Sequence, residues 1–367
     1  MGIVYCEADR TFTIQTKNTT YQMQVDRFGF LLHLYYGKKT DGSCMDYLLT
    51  YYDRGFSGNP YDAGEDRTYS MDTLPQEFPC YGNGDFRSTA FAVENADGSM
   101  SCDLRYKSHV ILDGKYNLEG LPAVYASEEE AQTLEILMED PVTGVKVVLL
   151  YGVLPAQDII TRSVSVKNES SGKIYLNKIE SASLDFLYGD YELLTFYGRH
   201  AMERNVQRVP VVHGTQKIRS VRGTSSHQYN PMMILAEKET TEDAGTCYGM
   251  SFVYSGGFKA EVEKDQFGQT RMQMGLQEEQ FSYPYNPGLC SMDSHHRNDL
   301  HSLPLFLLLH LSVILSFLRS LKAPHFLFLV NQKYNICMRK NTTKEPKSVK
   351  KMKNAVGLIE KKCYSTY

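Results

Sequence analysis

The sequence predicts an all-β protein: a large antiparallel β-sandwich (a supersandwich) with long loops, followed by a C-terminal tail of different character. Over residues 1–288, short runs alternate polar and apolar side chains, and β-branched and aromatic residues dominate these runs. Turn signals rich in glycine, asparagine, aspartate and proline separate the runs at the spacing typical of a sandwich. The sequence is 42% hydrophobic, which is enough for a sizeable core.

The first two predicted strands form a hairpin. TFTIQTK (11–17) and TYQMQVD (20–26) alternate polar and apolar residues, and Asn18-Thr19 between them suits a tight turn. The apolar run FGFLLHLYY (28–36) is predicted as a further strand.

The same pattern resumes after a long loop. Residues 128–132 are predicted to form a short helical turn, and in a second polar stretch, residues 193–214, Pro210 argues against a long helix. Strands are predicted at residues 102–112, 133–140, 145–154, 159–168, 173–186, 232–237, 248–257, 258–263 and 270–275.

The long loop, residues 51–87, has neither a helical period nor a sustained alternation. It combines many aspartate, glutamate and arginine side chains with tyrosine and phenylalanine, and glycine and proline interrupt it throughout. A structureless segment of this length inside a compact domain is usually functional or disordered, and disordered segments are poor in aromatics. Aromatic faces beside carboxylates and guanidinium groups suit a sugar. The alternative is a surface loop whose charges pair with one another.

Several long motifs carry more specific information. They are DRGFSGNPYDAGEDRTYSMDTLPQEFPCYGNGDFR, RSVSVKN with SASLDF, FYGRHAMER, TSSHQYNPMMILAE, YGMSFVYSGGFKAEVE and DQFGQTRMQMG. In this order they resemble the N-terminal domain of family 36 glycoside hydrolases, the bacterial α-galactosidases, from about Ile3 to Gly288. The resemblance implies that residues 1–288 are the N-terminal β-sandwich domain of an enzyme that hydrolyses terminal α-D-galactosides, such as melibiose and raffinose.

The resemblance also implies which residues bind the sugar. In the family this domain contributes to the sugar pocket, often across a subunit boundary in a tetramer. By position, Asp53 would accept hydrogen bonds from a galactose hydroxyl, and Phe56 and Arg67 would shape the entrance of the pocket. His200 stands where some relatives carry tryptophan; its imidazole can stack or hydrogen-bond but offers less apolar area.

Three charged residues of the same loop have a second interpretation. Arg54, Asp66 and Asp72 are either part of the pocket or internal braces that hold the loop in shape, and the brace interpretation is favoured.

The catalytic residues are expected to lie elsewhere. Retaining glycosidases need two carboxyl groups about 5 Å apart. In the resembled family both are aspartates of a (β/α)8 barrel, in motifs of the KWD and GGGRFD types, and neither motif occurs in this sequence. We therefore assign no catalytic residue and no cofactor, and we expect no hydrolysis by this chain alone. Expected partners are α-galactoside sugars and a homo-oligomer or a separate catalytic barrel. The alternative function is a free-standing carbohydrate-binding or interaction module.

The tail, residues 289–367, departs from the family at Gly288. It contains an apolar part, residues 303–330, and a basic part, residues 331–367, with ten Lys/Arg against two acids. Residues 303–318 are apolar, but a membrane-spanning helix needs about 20 such residues, so a membrane anchor is the less favoured interpretation. The favoured one is an unevolved tail, read from a shifted frame or a misannotated gene end, that is disordered or marginally helical. Because the closing strands of the family would follow Gly288, the sandwich is expected to expose unpaired strand edges.

Charge and cysteine content limit the remaining possibilities. The formal net charge is -4, with 26 Lys/Arg against 39 Asp/Glu in residues 1–288 and 13 against 4 in the tail. The acidic body argues against a nucleic-acid partner. The eight cysteines form no CxxC pair and have no zinc-site spacing, so we expect free thiols and no metal site. Free thiols, together with an N-terminus that lacks a secretory signal, predict a cytoplasmic location.

Overall fold

The computed structural model describes residues 2–54, 59–118, 121, 124–279 and 281–288, and the backbone of residues 313–319. Phe56 lies outside the described residues. So does the rest of the predicted tail, and its predicted disorder or helicity is not tested there.

Strands account for all the regular structure of the described residues, apart from 3₁₀ turns at Asp46–Leu48, Tyr61–Ala63, Glu128–Glu130 and Pro155–Gln157. The third of these turns lies within the predicted helical turn. The strands are β1 (Gly2–Cys6), β2 (Thr11–Gln15), β3 (Thr19–Val25), β4 (Leu31–Lys38), β5 (Phe91–Glu94), β6 (Arg105–Asp113), β7 (Gln132–Glu139), β8 (Val145–Leu154), β9 (Ile159–Asn168), β10 (Ile174–Phe186), β11 (Tyr191–Arg199), β12 (Met202–Pro210), β13 (Gly214–Arg219), β14 (Tyr229–Glu237), β15 (Thr246–Phe252), β16 (Phe258–Lys264), β17 (Thr270–Leu276), β18 (Tyr283–Tyr285) and β19 (Val313–Arg319).

The strands pair in antiparallel fashion into four sheets, two of which share β10. The first sheet has the order β1-β2-β3-β4, and the largest has the order β12-β11-β14-β15-β19-β9-β8-β7-β6. The first half of β10 lies between β5 and β18, whereas its second half pairs with β17 and thereby joins β16 and β13. The sheets form a ring similar to a four-bladed β-propeller.

The prediction of a single large sandwich is therefore wrong, although twelve of the nineteen strands described were expected. Alternation in the sequence shows that a strand is half-buried, but it does not determine which strand pairs with which. The register of β10 against β17 shifts between Glu180 and Ala182, and its register against β5 shifts between Leu176 and Lys178. Such bulges bend a strand and let it serve two sheets, and they leave little trace in the sequence pattern.

The polar stretch 193–214 forms mostly strands. β11 and β12 pair as a hairpin with Phe196 opposite Val206. β12 is exposed at most of its positions, because it is the edge strand of the nine-stranded sheet. A strand without a buried face lacks the alternation by which the other strands are recognised.

One strand comes from the tail. β19 pairs with β15 along its whole length, from Val313 opposite Phe252 to Arg319 opposite Thr246, and its first three residues pair with β9. Residues 313–319 are thus a strand rather than a marginal helix. These residues also pair with the facing edges of β9 and β15. The prediction of unpaired strand edges is therefore wrong at this position.

One large core and three smaller hydrophobic clusters are present in the described residues. The large core lies between the sheets. It includes Phe12, Tyr151, Phe252 and Phe258, which come from four different strands and are almost completely buried. The part of the chain that the structure describes contains no helix with the length and hydropathy of a membrane span.

Candidate functional site

The long loop is packed into the molecule rather than laid over its surface. Every residue from Tyr69 to Cys80 is buried, although the segment contains no strand. A buried backbone without ladder hydrogen bonds needs other partners for its amide and carbonyl groups. Two clusters of buried charged side chains lie at this loop, and the first supplies several of these partners.

The first cluster, here called the Asp85 cluster, consists of Asp85, Arg87, Asp185, Asp265 and Arg271. The guanidinium of Arg271 donates to both oxygens of Asp185 at 2.7 Å and to Oδ2 of Asp85 at 2.8 Å. Nε of Arg87 donates to Oδ1 of Asp85 at 2.9 Å. All five side chains are at least nine-tenths buried. The cluster joins the loop to β10 and β17.

Arg87 also holds the buried loop backbone in place. Its Nη2 donates to the carbonyl oxygens of Met71 at 3.0 Å and Leu74 at 2.7 Å, and its Nη1 donates to Oε1 of Gln269. The side-chain Nε2 of Gln269 in turn donates to the carbonyl oxygen of Thr73 at 3.0 Å. Side chains therefore satisfy the backbone carbonyl groups of Met71, Thr73 and Leu74.

The second cluster, here called the Glu77 cluster, joins the loop to the first and the largest sheets. Oε1 of Glu77 accepts hydrogen bonds from the hydroxyls of Tyr21 and Tyr151, each at 2.6 Å. Oε2 lies 3.2 Å from Nδ1 of His33, and Nη2 of Arg162 lies 3.5 Å from Oε1. Burial opposes ionisation of Glu77 most strongly, but Arg162 and the hydrogen bonds from His33 and Tyr151 together hold its pKa below the ordinary value.

Acid is expected to destabilise the fold through Asp85. Burial is the largest influence and raises its pKa, but Arg271 and Arg87 outweigh burial and lower the pKa to about 2. The stabilisation from this carboxylate is therefore present above its ordinary value of 3.8 and is lost as the pH falls toward about 2. The free energy of unfolding, measured with urea, should fall over this pH window more steeply for the wild type than for Asp85→Asn. Equal slopes for the two proteins would contradict this assignment.

Asp53 and Arg67, two of the four predicted site residues, are brought together. Nη2 of Arg67 lies 3.1 Å from Oδ1 of Asp53, and the two side chains are 60% and 61% exposed. The amide of Arg54 donates to the carbonyl oxygen of Arg67 at 3.1 Å, so the backbones of the two loop segments also lie side by side. An exposed carboxylate and an exposed guanidinium therefore lie side by side on this loop.

The residues that flank Asp53 are anchored. Nη2 of Arg54 donates to Oδ2 of Asp72 at 2.9 Å, and the guanidinium of Arg54 lies 4.1 Å from the ring centroid of Phe267. Tyr52 stacks on the same ring, with an interplanar angle of 13°. Gln266, in the turn between β16 and β17, also donates to Asp72. These contacts fix the backbone on both sides of Asp53.

Asp66 is also engaged in internal contacts. Its carboxylate pairs with Arg27 at 2.6 Å and accepts hydrogen bonds from the amide and hydroxyl of Thr68. The contacts of Arg54, Asp66 and Asp72 all fit the interpretation of these residues as braces.

His200 lies on a different element, the exposed turn between β11 and β12. Ala201 and Arg204 have φ values of 61° and 60°, a left-handed conformation that is uncommon for residues other than glycine. Oε1 of Glu203 accepts a hydrogen bond from the amide of Ala201 at 2.9 Å and supports the turn. Local strain of this kind is concentrated at functional sites, and nothing in the sequence revealed it.

Sequence reasoning missed the members of the two clusters that lie on strands. Asp185 and Arg271 occur within SASLDF and TRMQMG on the polar face of each strand, where alternation predicts exposure, yet both are buried. Arg162 lies between Ile160 and Val164 on the apolar face of β9. A charged residue at such a position needs a partner, and this was the available signal. The described residues contain no group of three or more His, Cys, Asp or Glu side chains that could hold a metal ion.

Comparison with known proteins identifies the relatives of this chain. Residues 29–285 match the glycosyl hydrolase family 36 N-terminal domain. The chain is 60% identical over 288 residues to the bifunctional α-galactosidase/sucrose kinase AgaSK of Mediterraneibacter gnavus, which covers 78% of this chain and 31% of the relative. It is 42% identical over 289 residues to the α-galactosidase AgaA of Geobacillus stearothermophilus, which covers 78% of this chain and 39% of that enzyme.

Solved structures give the same result. The galactosidase domain of the α-galactosidase-sucrose kinase AgaSK matches with a TM-score of 0.82 and 54% identity, covering 92% of this chain and 44% of that chain. The α-galactosidase AgaA of Geobacillus stearothermophilus in complex with raffinose matches with a TM-score of 0.77 and 38% identity, covering 84% of this chain and 41% of that chain. The chain thus spans less than half the length of each of these proteins.

Proposed function

The chain belongs to glycosyl hydrolase family 36 and corresponds to the N-terminal domain of its members. We therefore propose that it presents one side of a pocket for α-galactosides. The observation that carries the proposal is the exposed pair of Asp53 and Arg67 on an anchored loop. The carboxylate offers acceptors to the hydroxyl groups of a sugar, and the guanidinium offers donors to them. Phe56 and Arg67 would line the entrance of this pocket.

The anchoring of the loop supports this role. Sugar binding requires that the polar groups hold their positions before the ligand arrives, because ordering a loop on binding reduces affinity. Arg54 and Tyr52, on either side of Asp53, both pack on Phe267. Asp53 is thereby an exposed carboxylate on an anchored backbone, beside the guanidinium of Arg67.

His200 would contribute from the turn between β11 and β12. An exposed imidazole can stack on the apolar face of a sugar or hydrogen-bond to it. The substrate class follows from the relatives: the Geobacillus stearothermophilus enzyme AgaA is known in complex with raffinose and with stachyose, both of which are galactosides. We propose that this chain takes the same class.

We assign the hydrolytic step to no residue of this chain. Two carboxyl groups about 5 Å apart would be needed, and Glu77, Asp85 and Asp185 are engaged in buried pairs with arginine. The pocket would be completed by a catalytic barrel or by a second subunit. The alternative proposal is a free-standing binding module, in which the chain alone would be sufficient to bind the sugar.

Calorimetric titration with raffinose and melibiose tests the proposal. We expect weak saturable binding, because part of the pocket surface is missing. Asp53→Asn should weaken binding by about 10- to 100-fold, since a hydrogen bond to a charged group is worth about 1.5–3 kcal/mol. The matched control is Glu65→Gln, which removes an exposed acid of the same loop.

Three results distinguish the possibilities. Binding that Asp53→Asn weakens and Glu65→Gln leaves unchanged supports the assignment of Asp53. Equal affinity of all three proteins contradicts it. Absence of heat with either sugar rejects the free-standing module, and restoration of heat by a catalytic barrel added to the same cell would then support the half-pocket.

A further inference from the structure

The nine-stranded sheet is continuous only through β19. On one side lie β12, β11, β14 and β15, and on the other lie β9, β8, β7 and β6. β19 forms ladder pairs with Thr246–Phe252 of β15 and with Ile160–Arg162 of β9. The position between these two strands, here called the β9–β15 slot, joins the halves of the sheet.

The two strands that border the slot lie in the interior. β9 is buried at every position except Lys167, and β15 buries Gly249, Met250 and Phe252. Backbone amide and carbonyl groups in such strands are costly to leave unpaired, and a buried sheet edge therefore requires a strand beside it. The slot recognises a strand through main-chain groups, which are the same in any sequence.

The occupant of the slot lies outside the part of the chain that matches the family. The match ends at residue 285, and β19 begins at Val313. The surrounding residues, LFLLLHLSVILSFLRSLKA (305–323), contain no proline between Pro304 and Pro324, so every residue of this run can donate its amide to a ladder. Residues 305–318 of this run are apolar except for His310 and two serines, which suits a strand between buried neighbours.

We propose that the β9–β15 slot is a strand-acceptor site with low sequence selectivity, and that the tail of the same chain occupies it through residues 313–319. Recognition follows the logic of β-strand addition, in which main-chain hydrogen bonds supply affinity. The class of ligand is an extended, apolar, proline-free segment. This inference is independent of sugar binding.

Hydrogen exchange in the full-length wild-type chain tests the occupancy directly. Amides of residues 313–319 should exchange at least about tenfold more slowly than those of an unstructured peptide of the same sequence, which corresponds to at least about 1.4 kcal/mol of protection. Exchange at the rate of the free peptide would overturn the proposal. Protection that appears only in dimers would also overturn it, because the donor would then be the tail of a second copy.

Two variants of the full chain test the selectivity. Ser316→Pro removes one main-chain donor within β19 and should speed exchange of the β15 amides at least about tenfold. The matched control, Asn331→Pro, places the same substitution in the tail outside β19 and should leave these amides unchanged. A variant with residues 313–319 shuffled should keep the protection; if it behaves like Ser316→Pro, selectivity is high and the proposal fails. Should Ser316→Pro not fold, the shuffled variant and the wild-type measurement still decide.

Discussion

Glu77→Gln is expected to lower the free energy of unfolding by about 3–5 kcal/mol, the typical cost of removing one partner from a buried ion pair. Glu77 and Arg162 are completely buried, and the Arg162 guanidinium also lies 3.9 Å from the ring centroid of Tyr151. Glutamine keeps the shape of the side chain but removes the charge that compensates Arg162. It also weakens the acceptor for the two tyrosine hydroxyls.

Chemical denaturation at neutral pH measures this effect, and Tyr151→Phe is the matched control. The control removes one neutral donor to the same oxygen and leaves the charges in place. It should cost about 0.5–1.5 kcal/mol, the usual net value of one hydrogen bond. If the two variants lose the same stability, the charge of Glu77 does not compensate Arg162, and the interpretation of the cluster as an ion pair is wrong.

Asp85→Asn is the second substitution for which we expect a loss of about 3–5 kcal/mol. Asp85 accepts from both Arg87 and Arg271, and Oδ2 also accepts from Nε2 of Gln76 at 2.7 Å. The other carboxylates near Arg87 lie farther away, at 3.8 Å for Asp185 and 4.0 Å for Asp265. Arg87 would therefore keep its position only weakly, and the loop carbonyls of Met71 and Leu74 would lose a donor.

Asp66→Asn provides the comparison for Asp85→Asn, because Asp66 pairs with an arginine at the surface of the same loop. Surface ion pairs contribute little to stability, so this variant should unfold almost as the wild type does. Denaturation of both variants should be combined with limited proteolysis of the loop. Asp85→Asn is expected to open residues 71–74 to cleavage; an intact loop together with wild-type stability would contradict the role of the cluster.

Sequence reasoning found most strands for a physical reason. β2 and β3 were predicted within two residues of their bounds, because each alternates polar and apolar residues and each is bordered by a turn signal. β12 was not recognised as a strand, because as an exposed edge strand it buries no face. The arrangement of the sheets was predicted incorrectly, because β10 changes partners along its length and the bulges that permit this change have no sequence signature.

The candidate site was predictable only through resemblance. Asp53 and Arg67 are separated by a segment without periodic structure, so spacing alone could not show that their side chains meet. The burial of the loop from Tyr69 to Cys80 was also hidden, since a segment without periodicity has no recognisable buried face, although the interpretation of Asp72 as an internal brace agrees with it. What determines that burial is a set of partners that lie more than a hundred residues away in the sequence, such as Asp185 and Arg271.

The insertion of β19 has a consequence for the nascent chain. On the ribosome, β9 and β15 are synthesised before the strand that separates them. Val313, which pairs with both Phe252 and Arg162, comes later in the sequence than either residue. The sheet of β1 to β4 needs only neighbouring segments and can form at once. Until residue 319 has left the exit tunnel, the facing edges of β9 and β15 have no strand to pair with, although β8 and β14 can pair with their other edges. This interval is the period in which the chain depends most on protection from aggregation.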